Sequence, residues 1–358
     1  MSANDDPLAP AVLMIDLGAL AANYRLFKSM TKADVAGVIK ANGYGLGAAH
    51  VFETLRAEGC RRFFVATPDE AIALPATSED HIYVLGGLYH GAEEMYRAKN
   101  IIPVLNSEED IKRWAAFAQK RGEKLPAILH IDTGMNRLGA PINIDPALCT
   151  AFDLHYVMSH FSSSDEKDHA ANDRQAANFA AIAAHFPDSK KSLANSSGMF
   201  RNKDWHYDLI RPGYALYGGN PLPETTNPVK AVASLSVRVL QTRSVKKGEH
   251  AGYNETYRFE KNTTCATVAL GYADGFPRSL SNKGVLYWNG QPCSIRGRVS
   301  MDLTIIETGH LPNPPKQGDW VEVLGPHQDV DALATAAGTI GYNILTALGP
   351  RYHRVYMR

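Results

Sequence analysis

The sequence predicts an α/β chain, an N-terminal TIM-like (β/α)8 barrel followed by a mainly β C-terminal domain. Three observations predict it. Eight short apolar runs, VAGVIK, RRFFVAT, IYVLGG, IIPVLN, AILHID, HYVMSH, KSLANS and LIRPGYALYG, follow one another with helical stretches between most of them, which suits a closed barrel better than an open sheet. GNPLPETTNP, Gly219 to Pro228, then interrupts the pattern with three prolines. Beyond it the apolar period changes from helical to alternating. The expected domains are residues 10–225 and 226–358, with residues 1–14 candidates to pack with the second.

Taken in order, VLMIDL opens the chain as a strand, and Leu17, Leu20, Tyr24 and Phe27 continue at helical spacing with Asp16 as N-cap. After the first barrel strand, AAHVFETLRAEG places Ala48, Val51, Phe52 and Leu55 on one helical face; SEEDIKRWAAFAQK, Ser107 to Lys120, reads as another helix. In the second domain Leu235, Val237 and Val239 alternate with Ser236 and Arg238, and VLYWNGQPCSI carries a hairpin signal at Asn289-Gly290. WVEVLG and HRVYM read as further strands and VDALATAAG as a short helix.

Composition narrows the partners. The 37 basic and 37 acidic side chains cancel and no Lys/Arg block is present, so a small discrete ligand is expected rather than nucleic acid or a membrane. MSANDDPLAP has neither the basic nor the apolar region of a signal peptide, and a cytoplasmic protein is expected. Cys60, Cys149, Cys265 and Cys293 are widely spaced and form no CxxC, which predicts buried thiols and neither a disulfide framework nor a metal site.

In a barrel of this type chemistry collects at the carboxyl ends of the strands. Polar residues fall there repeatedly: Lys40 at the first strand, His130 and Asp132 at the fifth with Arg137 just beyond, His160 at the sixth, Asn195 and Ser196 at the seventh, Arg211 at the eighth. Singly, each has an ordinary structural reading, such as a lysine that snorkels to water; together they mark a rim. VIKANGYGLGAAH, Val38 to His50, also fits a dinucleotide fingerprint, with Asp69 as its acidic residue. That reading leaves Lys40 without a role.

From end to end the chain resembles the fold-type III, pyridoxal-phosphate-dependent alanine racemases. The motifs are IDLGALAANYR, VIKANGYGLG, HIDTGMNRLG, SHFSSSDE, ANSSG, LIRPGYALYG, AGYNETY, ALGYADGFPR, GRVSMD and TIGYNILTALGPRYHRVY, in family order. The resemblance implies a barrel followed by a β domain, a head-to-tail homodimer with shared active sites, and interconversion of L- and D-alanine by two bases, supplying D-alanine for peptidoglycan. Carried over by position, Lys40 would form the Schiff base with pyridoxal phosphate and serve as one base; Tyr253, from the partner subunit, would be the other. An ordinary lysine of pKa about 10.4 is a poor nucleophile at neutral pH, and desolvation in a barrel mouth lowers that barrier. His160 and Arg211 would tune Tyr253, and Arg211 would also face the pyridine nitrogen, donating a hydrogen bond but hardly a proton.

The same resemblance assigns Tyr44, Asn195, Ser196, Gly213, Tyr214 and Tyr342 to cofactor binding, mostly as a phosphate cup without a full positive charge. Arg137 and the backbone of Met301 would hold the substrate carboxylate. Tyr272 and Tyr342 would narrow the entrance, and Asp302 has the plain reading of a loop brace. Gly43, Gly45 and Gly47 would let the backbone turn from strand into helix.

The sequence departs from the family at one position. Where many members carry a carbamylated lysine seven residues before the substrate arginine, it has His130. His130 is expected either to hydrogen-bond neutrally near Arg137 or, protonated, to share an anion with it. Other readings are a racemase of broader range that includes serine, a non-catalytic pyridoxal-phosphate-binding barrel, and a nicotinamide oxidoreductase using GYGLGA. The non-catalytic barrels lack the β domain and Tyr253.

Overall fold

The computed structural model describes residues 8–358, which form two compact units, 8–19 with 231–358 and 20–230. Residues 1–7, part of the segment expected to pack with the β domain, lie outside the described residues.

In the unit of residues 20–230, parallel strands Gly37–Val38, Arg62–Val65, His81–Val84, Ile101–Leu105, Pro126–His130, Asp153–Met158 and Lys190–Ser192 pair in sequence order. An eighth strand, Leu209–Ile210, closes the ring. It pairs with Asp34–Val35, the start of the first strand, while Arg211 N donates to Ala194 O at 2.9 Å beyond the seventh. Buried parallel strands carry little polar residue on either face, which is why they read as apolar runs.

The helices between them bury the faces their spacing predicts. Ala48–Ala57 buries Val51, Phe52 and Leu55, and Glu108–Arg121 buries Ile111, Trp114 and Ala118, each large apolar side chain contributing about 1.5–3 kcal/mol. Ser107 Oγ caps the second helix by accepting Asp110 N at 3.0 Å, and Gly122 ends it at φ 65°. The fifth strand breaks the alternation, since only the 3-10 turn Pro146–Cys149 separates it from the sixth. Its carboxyl end opens instead into the loop that carries Arg137.

The other unit is built on the long strand Ala233–Val245. Leu235, Val237 and Val239 are buried, and the strand pairs antiparallel with Ala11–Asp16, with Trp320–Leu324 and, past a bulge, with Thr263–Val268. Ala11–Asp16 also takes His353–Met357 as a parallel neighbour. Asp16 Oδ1 accepts Ala19 N at 2.7 Å, the cap expected for the helix Leu17–Met30. The hairpin Val285–Trp288 to Gln291–Ser294 turns through Asn289 at φ 47° and Gly290 at φ 76°, the paired positive φ values of a type I′ turn. Helix Val330–Ala337 follows Asp329, whose carboxylate caps Ala332 N at 2.8 Å. All four cysteines are buried and free. No helix among the described residues is long and apolar enough to cross a membrane.

Candidate active site

Lys40 stands where the first barrel strand ends, and the chain then does something a glycine-rich loop does not require. Ala41, Asn42, Gly43 and Tyr44 are all left-handed, with φ between 53° and 62°. Only Gly43 adopts that region freely; an L-residue costs roughly 1–2 kcal/mol there. A ladder of backbone bonds holds the turn, among them Gly43 N to Ile39 O at 2.9 Å and Gly45 N to Ala41 O at 2.8 Å. The Glu70 carboxylate adds two more, accepting Ala41 N and Ala66 N, each at 2.7 Å. The glycine explanation of this loop was therefore incomplete: Gly45 and Gly47 have positive φ as well, but three non-glycine residues share the strain. Desolvation lowers the Lys40 pKa, Arg137 lowers it further, and Glu70 works against both. No described residue hydrogen-bonds its ammonium group.

Arg211 is the buried cation of the barrel. Its guanidinium donates to Ser192 Oγ and to Ser159 O, both at 2.5 Å, to Leu193 O at 3.5 Å and towards His160 Nδ1 at 3.4 Å. Burial pushes its pKa down to about 10, still well above neutrality, so it remains a donor. Because a guanidinium only donates, His160 Nδ1 must accept, which places the imidazole proton on Nε2. Desolvation first, then Arg211 and Arg137, hold His160 well below its usual range and therefore neutral.

His130 has the opposite tautomer. Its Nδ1 lies 2.7 Å from Asn106 Oδ1, and the amide of Asn106 is oriented by donating to Leu85 O at 3.0 Å. Nδ1 therefore carries the proton and Nε2 is a bare acceptor. Desolvation, Arg211 and Arg137 push the His130 pKa down to about 4. The protonated ring that an anion shared with Arg137 would require is thus disfavoured at neutral pH. Beyond His130, Asp132 organises the loop: its carboxylate accepts Gly134 N and Met135 N at 2.9 Å and Asn136 N at 3.1 Å. The exposed Arg137 follows directly, and Ala140 N returns to His130 O at 2.7 Å.

Opposite Lys40 in the sequence of strands, Ser196 Oγ accepts Gly213 N at 2.9 Å and Ala215 N at 3.3 Å. A Cβ at position 213 would lie 2.3 Å from Tyr44 Oη, and one at 219 would lie 2.0 Å from the Tyr214 ring. Tyr44 stacks on Tyr217 at 4.5 Å between centroids, and Tyr217 donates to Val38 O at 2.9 Å. Lys40, Tyr44, Ser196 and Gly213 thus belong to one packed cradle, and its backbone N–H groups and hydroxyls are suited to a phosphate. Asn195 caps the short helix Ser196–Arg201, its Oδ1 accepting Gly198 N at 2.9 Å.

The remaining predicted residues lie in the β-rich unit, on segments that touch one another. Tyr253, 68% exposed, follows Gly252, where a Cβ would sit 2.9 Å from Arg298 N. Ala273 N donates to Met301 O at 2.9 Å and Tyr272 N to Ser300 O at 3.0 Å. Asp302 accepts Arg351 Nη1 at 2.6 Å, and the same guanidinium reaches Asp274 Oδ1 at 2.7 Å. Tyr342 is the second residue of the helix Gly341–Thr346. Tyr272, Met301 and Tyr342 are exposed like Tyr253.

Glu70, Asn106, Ser159, Ser192, Asp274 and Arg351 went unnoticed in the sequence. Asn106 could have been found, because it ends the fourth barrel strand and so belongs to the same polar rim. Glu70 has no local signal in the sequence, where its exposed neighbour Asp69 fits the acidic position of a dinucleotide fingerprint.

Compared with known proteins, the chain matches the families described as "Alanine racemase, N-terminal domain" over residues 15–221 and "Alanine racemase, C-terminal domain" over residues 232–356. It is 47% identical over 351 residues to an alanine racemase of Acidiphilium cryptum, covering 96% of this chain and 98% of that one. It is 45% identical over 356 residues to a protein of Agrobacterium fabrum named "Alanine racemase, catabolic", covering 97% and 92%. The crystal structure of an alanine racemase from Bartonella henselae with covalently bound pyridoxal phosphate matches with a TM-score of 0.94 at 40% identity, covering 98% and 100% of the two chains.

Proposed function

The chain belongs to the alanine racemase family, and from that premise we propose that it interconverts L- and D-alanine with pyridoxal phosphate carried on Lys40. The observation that carries the reading is the cradle of Lys40, Tyr44, Ser196 and Gly213 beside the buried Arg211, which fits a flat, phosphorylated pyridine. When bound, the cofactor supplies the electron sink that makes the substrate Cα–H acidic.

The chain supplies everything else. Desolvation, with Arg137, lowers the Lys40 pKa and so raises its share of free amine, both to bind the cofactor and to take a proton from one face of the substrate. Tyr253 of a second subunit serves the other face; its high exposure in the β-rich unit, together with that of Tyr272, Met301, Leu303, Ile340 and Tyr342, supports a homodimer. Arg211 would hold the ring nitrogen as a donor that keeps its own proton, and His160, with its proton on Nε2, would join it in tuning Tyr253. Tyr44, Ser196, Gly213, Tyr214 and Tyr342 would hold the phosphate. Arg137, on the loop shaped by Asp132, takes the substrate carboxylate together with Met301 N–H, while Asp302 braces the loop and Tyr272 and Tyr342 limit the side chain to a small group.

D-alanine supply for peptidoglycan is the role we assign, in the cytoplasm. The catabolic name of the Agrobacterium relative favours a second role, the return of D-alanine to the L pool. D-alanine auxotrophy after deletion separates the two. The activity itself is tested with purified protein and pyridoxal phosphate: a band near the visible edge that borohydride bleaches, label on Lys40, and racemisation of either enantiomer. Absence of the band, or faster turnover of serine than of alanine, would overturn the assignment.

A further inference from the structure

We propose that Glu70 is a positioning residue for Lys40, its carboxylate clamping the left-handed turn that follows the lysine; this rests on reading Lys40 as the cofactor lysine. The peptide N–H next after Lys40 is that of Ala41, and it donates to Glu70 Oε1 at 2.7 Å. The other oxygen, Oε2, accepts Ala66 N, also at 2.7 Å. Ala66 directly follows the neighbouring barrel strand Arg62–Val65, so one side chain joins the carboxyl ends of the first two strands and fixes the plane of the Lys40–Ala41 peptide.

The anchoring of Glu70 is itself defined. It lies on the helix Pro68–Ile72, where Thr67 Oγ1 accepts Glu70 N at 3.4 Å. The turn needs such a clamp because Ala41, Asn42 and Tyr44 have φ of 53°, 55° and 53°, values that L-residues hold only when their surroundings impose them. Asn42 helps from the far side, its Oδ1 accepting Ala48 N at 3.0 Å. Two acceptor oxygens at that reach are needed. Glutamine keeps one and replaces the other with a donor, while aspartate keeps both but is one methylene short.

A rival role for the same carboxylate is purely electrostatic, as a counter-charge to Lys40. Glu70→Asp and Glu70→Gln, each alone and combined with Ala41→Gly, distinguish them in the apoprotein. For the clamp, both single variants should exchange the Ala41 and Ala66 amide protons roughly tenfold faster or more, and capture pyridoxal phosphate roughly tenfold more slowly, because two charge-assisted bonds are weakened. Glycine at 41 accepts φ near 60° without strain and should restore capture to within about threefold of wild type. Thermal melting of the apoprotein identifies any variant that is not folded, and the glycine double variant then decides. Wild-type behaviour of Glu70→Asp, or slow capture that Ala41→Gly does not relieve, would overturn the clamp. If wild-type protein carries no cofactor on Lys40, the reading of the lysine fails, and the amide exchange rates still decide the role of Glu70.

Discussion

Asn106 holds His130 in a single tautomer: its side-chain oxygen lies 2.7 Å from His130 Nδ1 while its amide is committed to Leu85 O. The pair sits at the ends of adjacent barrel strands, below a mouth that also contains Lys40, Arg137 and Arg211. A neutral ring there adds no charge to the guanidinium groups of Arg137 and Arg211, which leaves those two to attract carboxylate and phosphate groups.

This fixes a dependence of stability on pH. His130 titrates near 6.5 when unfolded and is pushed down to about 4 by folding, so between those values the unfolded chain binds a proton that the folded chain refuses. Stability therefore rises with pH across that window, by roughly 3 kcal/mol for this group alone, and is flat above it. His160 is shifted in the same direction and steepens the slope. Urea unfolding at about pH 5 and about pH 7 should show a smaller difference for His130→Gln than for wild type; equal differences would refute the assignment.

Gly213→Ala should cost cofactor affinity rather than fold. Its Cβ would lie 2.3 Å from Tyr44 Oη, forcing the ring off Tyr217. We expect pyridoxal phosphate to bind at least about tenfold more weakly, equivalent to about 1.4 kcal/mol, by absorbance titration of the apoprotein. Unchanged affinity would mean that Tyr44 lies outside the phosphate cup.

Arg351→Met should separate substrate binding from stability. The guanidinium links Asp274 and Asp302 across the segments that carry Tyr272 and Met301, yet it is substantially exposed, so its ion pairs, screened by water, contribute little to the fold. The expected outcome is a several-fold rise in KM for alanine with a smaller change in kcat. A large drop in melting temperature with unchanged KM would assign it a structural role alone.

Tyr253→Phe should act on one hand of the substrate. Removing one of two bases should slow α-proton exchange with solvent from one enantiomer by roughly 10²–10⁴-fold and leave exchange from the other much less affected. Small, equal losses from both would sink the two-base assignment.

The legibility of this chain followed the range of the interactions. The barrel strands were readable because burial on both faces makes each one a short apolar run, and Lys40, Arg211 and Ser196 because they interrupt such runs at their carboxyl ends. The left-handed Ala41, Asn42 and Tyr44 were not, since local rules reserve positive φ for glycine and the compensating contact comes from Glu70, beyond the next strand. Arg351 was hidden for a similar reason. Its partners are Asp274 and Asp302, far back along the chain, and a surface arginine has no local mark of such a task.

The parallel pairing of Ala11–Asp16 with His353–Met357 makes the barrel an insertion within the β-rich unit, and this orders the events of synthesis. The barrel strands are complete when Ile210 has been made, while the first strand still lacks both neighbours in its sheet. One arrives with Ala233–Val245 and the other only with His353–Met357. Until then Ala11–Asp16 is an unsatisfied sheet edge, open to pairing with other nascent chains. Removing His353–Met357 would therefore expose Ala11–Asp16, more than three hundred residues earlier, along its whole edge.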